Sequence, residues 1–457
     1  MNRRIRRTLV RRPITLCLAV GVIFCVTINC NLISFMPTIT PIPTRIPDGT
    51  QNEPIPTSQT PLTSDNPDET LTVGKPLSTS TPTLRKSASQ PTSKPTLPPL
   101  GELVPGKLLP TLEAGDPATI TFIHMVTSKS GWGVGSTEET SDHILRTDDG
   151  GESWWDVSPP EAGPVEGEVK RAETFVLDNN TAWVGYEPYE TIWFTKDGGK
   201  TWGESGSDTA GYGGAKFWFA DQDLGWLMIF IDAGMSHVYT ELFRTTTGGK
   251  NWENIVNPSD NEDLQAFNKT GMVFIDGYTG WVTRDSGGVK PGAFVDVTLD
   301  GGFTWQSHNL PPPEENPNKF DQEYCRMHSP TLFSEVSGML IVACLSYEGE
   351  ETTETAYLFS TSDGGKNWER LDYPGGHLHF IDEQIAYALG REIFQTQDGG
   401  LSWEQIKRVE WDGQFSFVNE QQAWAVARKG AAIALVKTED GGRTWDLLEP
   451  KVSAGGD

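Results

Sequence analysis

The chain has 457 residues with 62 acidic against 36 basic side chains, a formal net charge of −26. So acidic a chain is a poor partner for nucleic acid, whose phosphates require clustered lysine and arginine. Three of the five cysteines, Cys17, Cys25 and Cys30, fall near the N-terminus; no cysteine or histidine cluster has zinc spacing, and no metal or other cofactor is expected.

Residues 1–36 read as an export signal or membrane anchor. Six arginines within Met1 to Arg12 precede an apolar run from Ile14 to Ile28, the charge-then-hydrophobic order of such signals. The run is shorter than the roughly 20 residues of a comfortable membrane span, although Leu32 to Met36 extend it past Asn29 and Asn31. Thr27, Ile28 and Asn29 do not resemble the sequence ahead of a lipidated cysteine, so Cys30 carries no strong lipoprotein signal. The expected location is extracytoplasmic, either membrane-tethered or secreted. Residues 37–104 read as a disordered linker rich in proline, threonine and serine. Pro37 to Leu100 holds 14 of the 31 prolines and no tryptophan, so it lacks the apolar surface needed to offset chain entropy. Polyproline-like, at about 3.1 Å per residue, it reaches roughly 200 Å.

Residues 105–457 are built from a repeat. A threonine, an acidic residue, two glycines and a tryptophan recur seven times: Thr147 to Trp154, Thr195 to Trp202, Thr245 to Trp252, Thr298 to Trp305, Thr361 to Trp368, Thr396 to Trp403 and Lys437 to Trp445. Asp149, Asp197, Asp300, Asp363, Asp398 and Asp440 supply the carboxylate in six copies, and Thr247 replaces it in the third. An aspartate that accepts bonds from the backbone beyond it, followed by glycines free to take positive φ, makes a tight turn between two strands. A second signal precedes each turn in phase: an apolar strand, a polar turn, then a small residue and a large one. Phe122 leads to Gly131 and Trp132, Phe175 to Ala182 and Trp183, Phe219 to Gly225 and Trp226, and Phe274 to Gly280 and Trp281; Leu332 leads to Gly338 and Met339, Phe380 to Ala386 and Tyr387, and Phe417 to Ala423 and Trp424. Each unit therefore holds four strands, and repeats near about 45 residues with several short strands mean propeller blades. The expectation is an all-β, seven-bladed β-propeller of four-stranded blades. A strand from Leu103 to Leu112 is a candidate for closing the ring.

These repeats resemble the Asp-box, or BNR, repeat of sialidase-like propellers and of photosystem II assembly and stability factors, which are WD40/YVTN-like repeat proteins. The resemblance covers roughly 115–450. It implies an extracytoplasmic scaffold for assembly or stability of a membrane protein complex, or else a glycan-binding or glycan-hydrolysing propeller. In the sialidase-like family the repeat aspartates are structural rather than catalytic, and Arg45-Ile46-Pro47, which spells that family's signature, sits in the linker as a chance match.

Because strands alternate in direction, the repeated turns share one face with the short first-to-second-strand turns, and the connections that vary in length lie opposite. That variable face is the expected binding face. Arg391, Lys407, Arg408, Arg428 and Lys429 fall in its connections in blades six and seven, forming a basic sector on an acidic disc; photosystem II assembly factors are thought to dock reaction-centre polypeptides through an arginine-rich patch. Tyr186, Tyr189, Tyr212, Tyr239, Tyr373 and Trp411 are candidate contact aromatics. The expected partner is a protein or a cell-surface polymer, with membrane association through the N-terminus. No catalytic residue is assigned: an enzyme, if present, would be a glycoside hydrolase, with Asp321, Glu323 and Glu348 the carboxylates to test, and solvated loop charge is the plain reading of all three. Cys325, in the longest insertion, and Cys344, at the end of a strand in the same blade, are a candidate disulfide, or else Cys344 is a small core residue. His377 and His379 read as loop and strand surface.

Overall fold

A computed structural model describes residues 114–455, apart from 136–140, 160–168, 207–210, 212–213, 235–236, 258–267, 287–291 and 349–350. The export segment, the linker, Leu103 to Leu112 and Tyr212 lie outside the described residues. Among the described residues no helix is long and apolar enough to cross a membrane.

The chain is a seven-bladed β-propeller. Each blade is an antiparallel sheet of strands consecutive in sequence, spanning 122–156, 172–206, 215–256, 269–309, 324–371, 377–408 and 412–448. The second strands of blades one, two and four, Gly131–Gly135, Ala182–Tyr186 and Gly280–Arg284, are buried along their whole length because a neighbouring blade covers each side. The two repeated signals meet across the blade seams. Trp183 stacks on Phe219 at 3.4 Å and Trp226 on Phe274 at 3.6 Å, in each case second strand on the inner strand of the next blade. Tyr387 and Phe417 repeat the contact between blades six and seven. Glycine before the tryptophan is a packing requirement at Gly225 and Gly280, where a Cβ would collide with the ring of Phe219 or Phe274 on the paired strand.

The turn chemistry is the same in all seven copies. The threonine hydroxyl accepts the N–H of the second glycine at 2.9–3.1 Å. In six copies it also donates to the aspartate, which accepts from the backbone four residues on. In the third copy the Thr247 hydroxyl accepts the Asn251 N–H at 3.0 Å, so it replaces that carboxylate bond. Both glycines of every copy have positive φ. The first glycine N–H donates to a carbonyl in the first-to-second-strand turn of its own blade, as Gly150 does to Lys129 and Gly441 to Gln421, which places both sets of turns on one face.

Partial burial of Asp149, Asp197, Asp300 and Asp440 opposes ionisation, but bonds from hydroxyl and backbone donors outweigh it and hold their carboxyls below the ordinary value. At Asp363 the Asn367 backbone N–H leads, and the carboxyl falls from 3.8 to about 2. A folded pKa below the unfolded one gives stability that is complete above about 3.8 and lost as pH falls through about 2. Asp363→Asn is therefore expected to flatten the acid limb of the melting temperature in that window; an acid limb identical to the parent's would contradict the assignment.

Blade five departs from the expected pattern. Its inner position is shared by Tyr324–Met327 and Thr331–Leu332, both paired with the long second strand Gly338–Glu348. The long connection after blade four is thus part strand, interrupted around Pro330. Cys325 sits in that strand rather than in a loop, directly opposite Cys344, and the two form a disulfide with S–S 2.01 Å. The Cys325 N–H and carbonyl bond Ser286 on the other side, so the cysteine pair occupies a site without ladder bonds between its members, where side chains approach closely.

Among the described residues the ring closes by a short strand after blade seven that joins the sheet of blade one. Lys451–Val452 lies parallel to Ser153–Trp154 on the outer edge of blade one. Gly115 and Ala118 donate to Val452 and Pro450, both at 2.8 Å, and Val452 returns a bond to Asp116 at 2.7 Å. Ala118, Ile120 and Val452 fill the seam with Ile123, Trp154 and Trp424. The Trp424 indole donates to the Gly150 carbonyl of blade one at 2.8 Å.

Candidate functional site at the axial mouth of the variable face

The expected basic sector is largely neutralised. Arg391 makes a two-pronged pair with Asp412, 3.0 Å from Nε and 2.8 Å from the guanidinium nitrogen beyond it. Arg408 lies 3.6 Å from Glu392. Arg428 is half-buried and donates to the Thr121 carbonyl at 2.8 Å, so it tethers the closing segment. Lys429 is exposed and Lys407 half-buried. Three expected contact aromatics are core: Tyr186 is buried between blades one and two, Tyr189 between blades two and three, and Trp411 packs edge-on against Trp445 between blades six and seven. Each lies at or near a strand end that an adjoining blade covers. Tyr239 is exposed, and the Tyr373 hydroxyl is bonded to the Gly376 carbonyl at 2.9 Å.

Among the proposed acids, Glu323 pairs with Lys319 and accepts from Ser346, both at 2.6 Å, pinning the insertion to blade five. Asp321 is exposed on the short helix Lys319–Gln322, and nothing is described of the Glu348 side chain. Among the described residues no group of three or more His, Cys, Asp or Glu gathers to hold a metal ion.

A different set of ionisable groups converges on the axis. Counting back three residues from the inner-strand residue that pairs with the start of each second strand, Phe122, Glu173, Lys216, Gly271, Ser329, His377 and Gln414 share one level. The first residues of inner strands lie toward the variable face, so this level is near its axial mouth. A side chain at Gly271 would collide with Ser329 of blade five. With blade four contributing none, Lys216 of blade three comes within electrostatic reach of Arg326 of blade five, whose charge opposes that of the lysine. Glu173 faces Lys216 from the other side, and His328 faces His377. Glu173, Lys216, Arg326, His328 and His377 are half-buried. They are enclosed by protein yet reached by water.

Burial raises the Glu173 carboxyl to about 7, with Lys216 working against the shift and Asp142 adding to it. Asp142 is itself spent on Arg171 at 3.1 Å and on the Ala172 N–H at 2.8 Å. Burial lowers the Lys216 ammonium; it brings His328 and His377 to about 4, so both imidazoles are neutral near pH 7. None of the ion pairs among the described residues involves Glu173, Lys216 or Arg326. Beside Arg326, Tyr324 and Tyr347 are 40% and 67% exposed. The sequence reading missed Glu173, Lys216 and Arg326; the signal is a charge at matching positions of apolar inner strands for Glu173 and Lys216, and Arg326 lies three residues before the matching Ser329.

The turn face carries an open groove of about 600 Å³ between blades three and four, lined by Asp221, Asp223, Arg244 and Tyr278. Its charges are engaged: Asp223 pairs with Lys196, and Arg244 donates to the Gly277 carbonyl.

No family model matches the chain, and no curated protein does. Solved structures resemble it: YCF48 from Cyanidioschyzon merolae at 16% identity, over 72% of this chain and 97% of that one, with a TM-score of 0.43. An ulvan lyase of polysaccharide lyase family 25 matches at 11% identity over 74% of this chain and 94% of the lyase, TM-score 0.43. The family 74 xyloglucanase from Xanthomonas campestris matches at 11% over 72%, TM-score 0.38, and the chain spans 60% of that enzyme.

Proposed function

We propose that the protein is an extracytoplasmic, non-catalytic binding scaffold of the Asp-box propeller kind, with residues 1–36 and 37–104 serving as anchor and tether. Its variable face receives a protein or a surface polymer; assembly or stability of a membrane protein complex is the role its resemblance to photosystem II assembly factors implies. One observation carries this reading: the turn-face aspartates are committed to their own turns, whereas the variable face ends in charged inner-strand groups outside any ion pair and in exposed Tyr324 and Tyr347. Unspent polar groups beside exposed aromatics are what an interface uses.

A pull-down from detergent-solubilised membranes of the source cells tests it. A specific partner should be retained by the parent protein and by the turn-face variant Tyr278→Ala, and lost from Tyr324→Ala/Tyr347→Ala. Retention by the variable-face variant would overturn the assignment. Cleavage of a polysaccharide that disappears in Glu173→Gln would instead put a glycan hydrolase first.

A further inference from the structure

We propose that the axial mouth of the variable face binds a single oxyanionic group, a carboxylate or a sulfate, between Lys216 and Arg326. The proposal rests on that face being the binding face, and it adds the ligand's chemistry.

Two cations from blades three and five are brought within electrostatic reach of one another where Gly271 leaves the intervening blade without a side chain. Arg326 works against the charge on Lys216, and Glu173, whose attraction for Lys216 is the larger of the two, forms an ion pair with neither cation. Three other half-buried or buried cations of this protein are engaged: Arg284 with Asp296, Lys319 with Glu323, and Arg428 with a carbonyl. A partly desolvated pair of like charges is compensated by an anion placed between them, and in a site of reduced dielectric that attraction exceeds its value in open water. Neutral His328 and His377 offer ring nitrogens beside the cations without adding charge.

Charge complementarity also limits the ligand. The protein as a whole carries −26, so a polyanion would be repelled by the disc around the mouth, whereas one anionic group on a neutral or basic chain would not. Beyond roughly 8 Å that repulsion is screened at physiological salt, so it acts on the groups flanking the one that enters.

Glu173 makes the site pH-sensitive. The groups facing it are Lys216, Asp142 and Tyr189; those facing Lys216 are Glu173 and Arg326, and those facing Arg326 are Lys216, His328 and Tyr324. With its carboxyl at about 7 and the histidines at about 4, Glu173 gains a proton as pH falls from about 8 to about 6 while the histidines stay neutral. The mouth then becomes more positive. Lys216 protonation, where it changes, acts in the same direction.

Isothermal titration of the full chain with sodium acetate, sodium glucuronate and sodium sulfate at fixed ionic strength is the test. One saturable site is expected for at least one probe, tightening as pH falls from about 8 to about 6. Lys216→Met and, separately, Arg326→Met should each weaken it by at least about tenfold, while Glu173→Gln should tighten it at the higher pH and remove most of the pH dependence. Binding of the carboxylates alone assigns a carboxylate group, and of sulfate alone a sulfate ester; either supports the site. Melting curves accompany each variant, and because the two cations lie on different blades, one folded variant suffices. No saturable binding to the parent, or equal affinity in a folded cation variant, would overturn the proposal. Such a failure leaves the pull-down untouched, whereas a partner retained by Tyr324→Ala/Tyr347→Ala sinks the wider reading even if the anion binds.

Discussion

Replacing Trp424 with alanine is expected to destabilise the propeller by about 3–5 kcal/mol. The indole is fully buried at the seam where blade seven meets blade one, packed with Ile123, Trp154, Leu435 and Val452. Its N–H donates to the Gly150 carbonyl in the first repeated turn, so the change removes apolar contacts and strands a buried acceptor together. The companion experiment separates these effects. Trp424→Phe keeps most of the packing and loses only the bond, with an expected cost of about 1–3 kcal/mol. Trp281 is equally buried, but its indole N–H has no partner among the described residues; Trp281→Phe should be close to neutral for that reason. Urea unfolding of the three variants beside the parent reads the difference. Equal losses for the two phenylalanine variants would show that the interblade bond contributes nothing.

The second large effect lies inside blade four. Arg284 and Asp296 leave 2% of each side chain exposed and approach to 3.4 Å, with Ser307 bonded to both. Lys269, also buried, is pulled down to about 7 by burial, and Asp296 is the foremost charge holding it up. Asp296→Ala leaves two buried cations facing each other without their common anion, and about 3–5 kcal/mol is the expected loss. The loss should deepen below about pH 7, because the parent has levelled off there with Lys269 protonated in both states, whereas without Asp296 the folded lysine is depressed further and the variant goes on losing stability. The apolar pair Arg284→Met/Asp296→Leu is expected to recover much of the deficit, since it removes the charges rather than orphaning them. A deficit under about 1 kcal/mol for Asp296→Ala in urea unfolding would show that water reaches the network.

The fold was legible because backbone geometry repeats its demands. A turn that needs a hydroxyl, an acceptor and two positive-φ glycines can be filled by few residues, and the Phe and Trp that stack across seams recur in phase with it. The binding residues were not legible, for three physical reasons. Tyr186, Tyr189 and Trp411 lie at or near strand ends and look like loop aromatics until the adjoining blade covers them. Arg391 looks free until its partner, Asp412, arrives from the next blade, 21 residues away. Glu173, Lys216 and Arg326 are single charges in apolar strands, and only a closed ring brings them together. Blade five hid its inner strand because Tyr324–Met327 and Thr331–Leu332 are separated in sequence around a proline.

The closure at Lys451–Val452 sets the order of events when the chain folds. Six of the seven blade seams join segments adjacent in sequence and can form as each blade leaves the ribosome, at little loop-closing cost. The seventh joins residues 274 positions apart at the Trp424–Gly150 bond and waits for the last strand. Until then the outer strand of blade one, Ser153–Asp156, presents an unpaired edge at 153–154, able to recruit strands from other nascent chains.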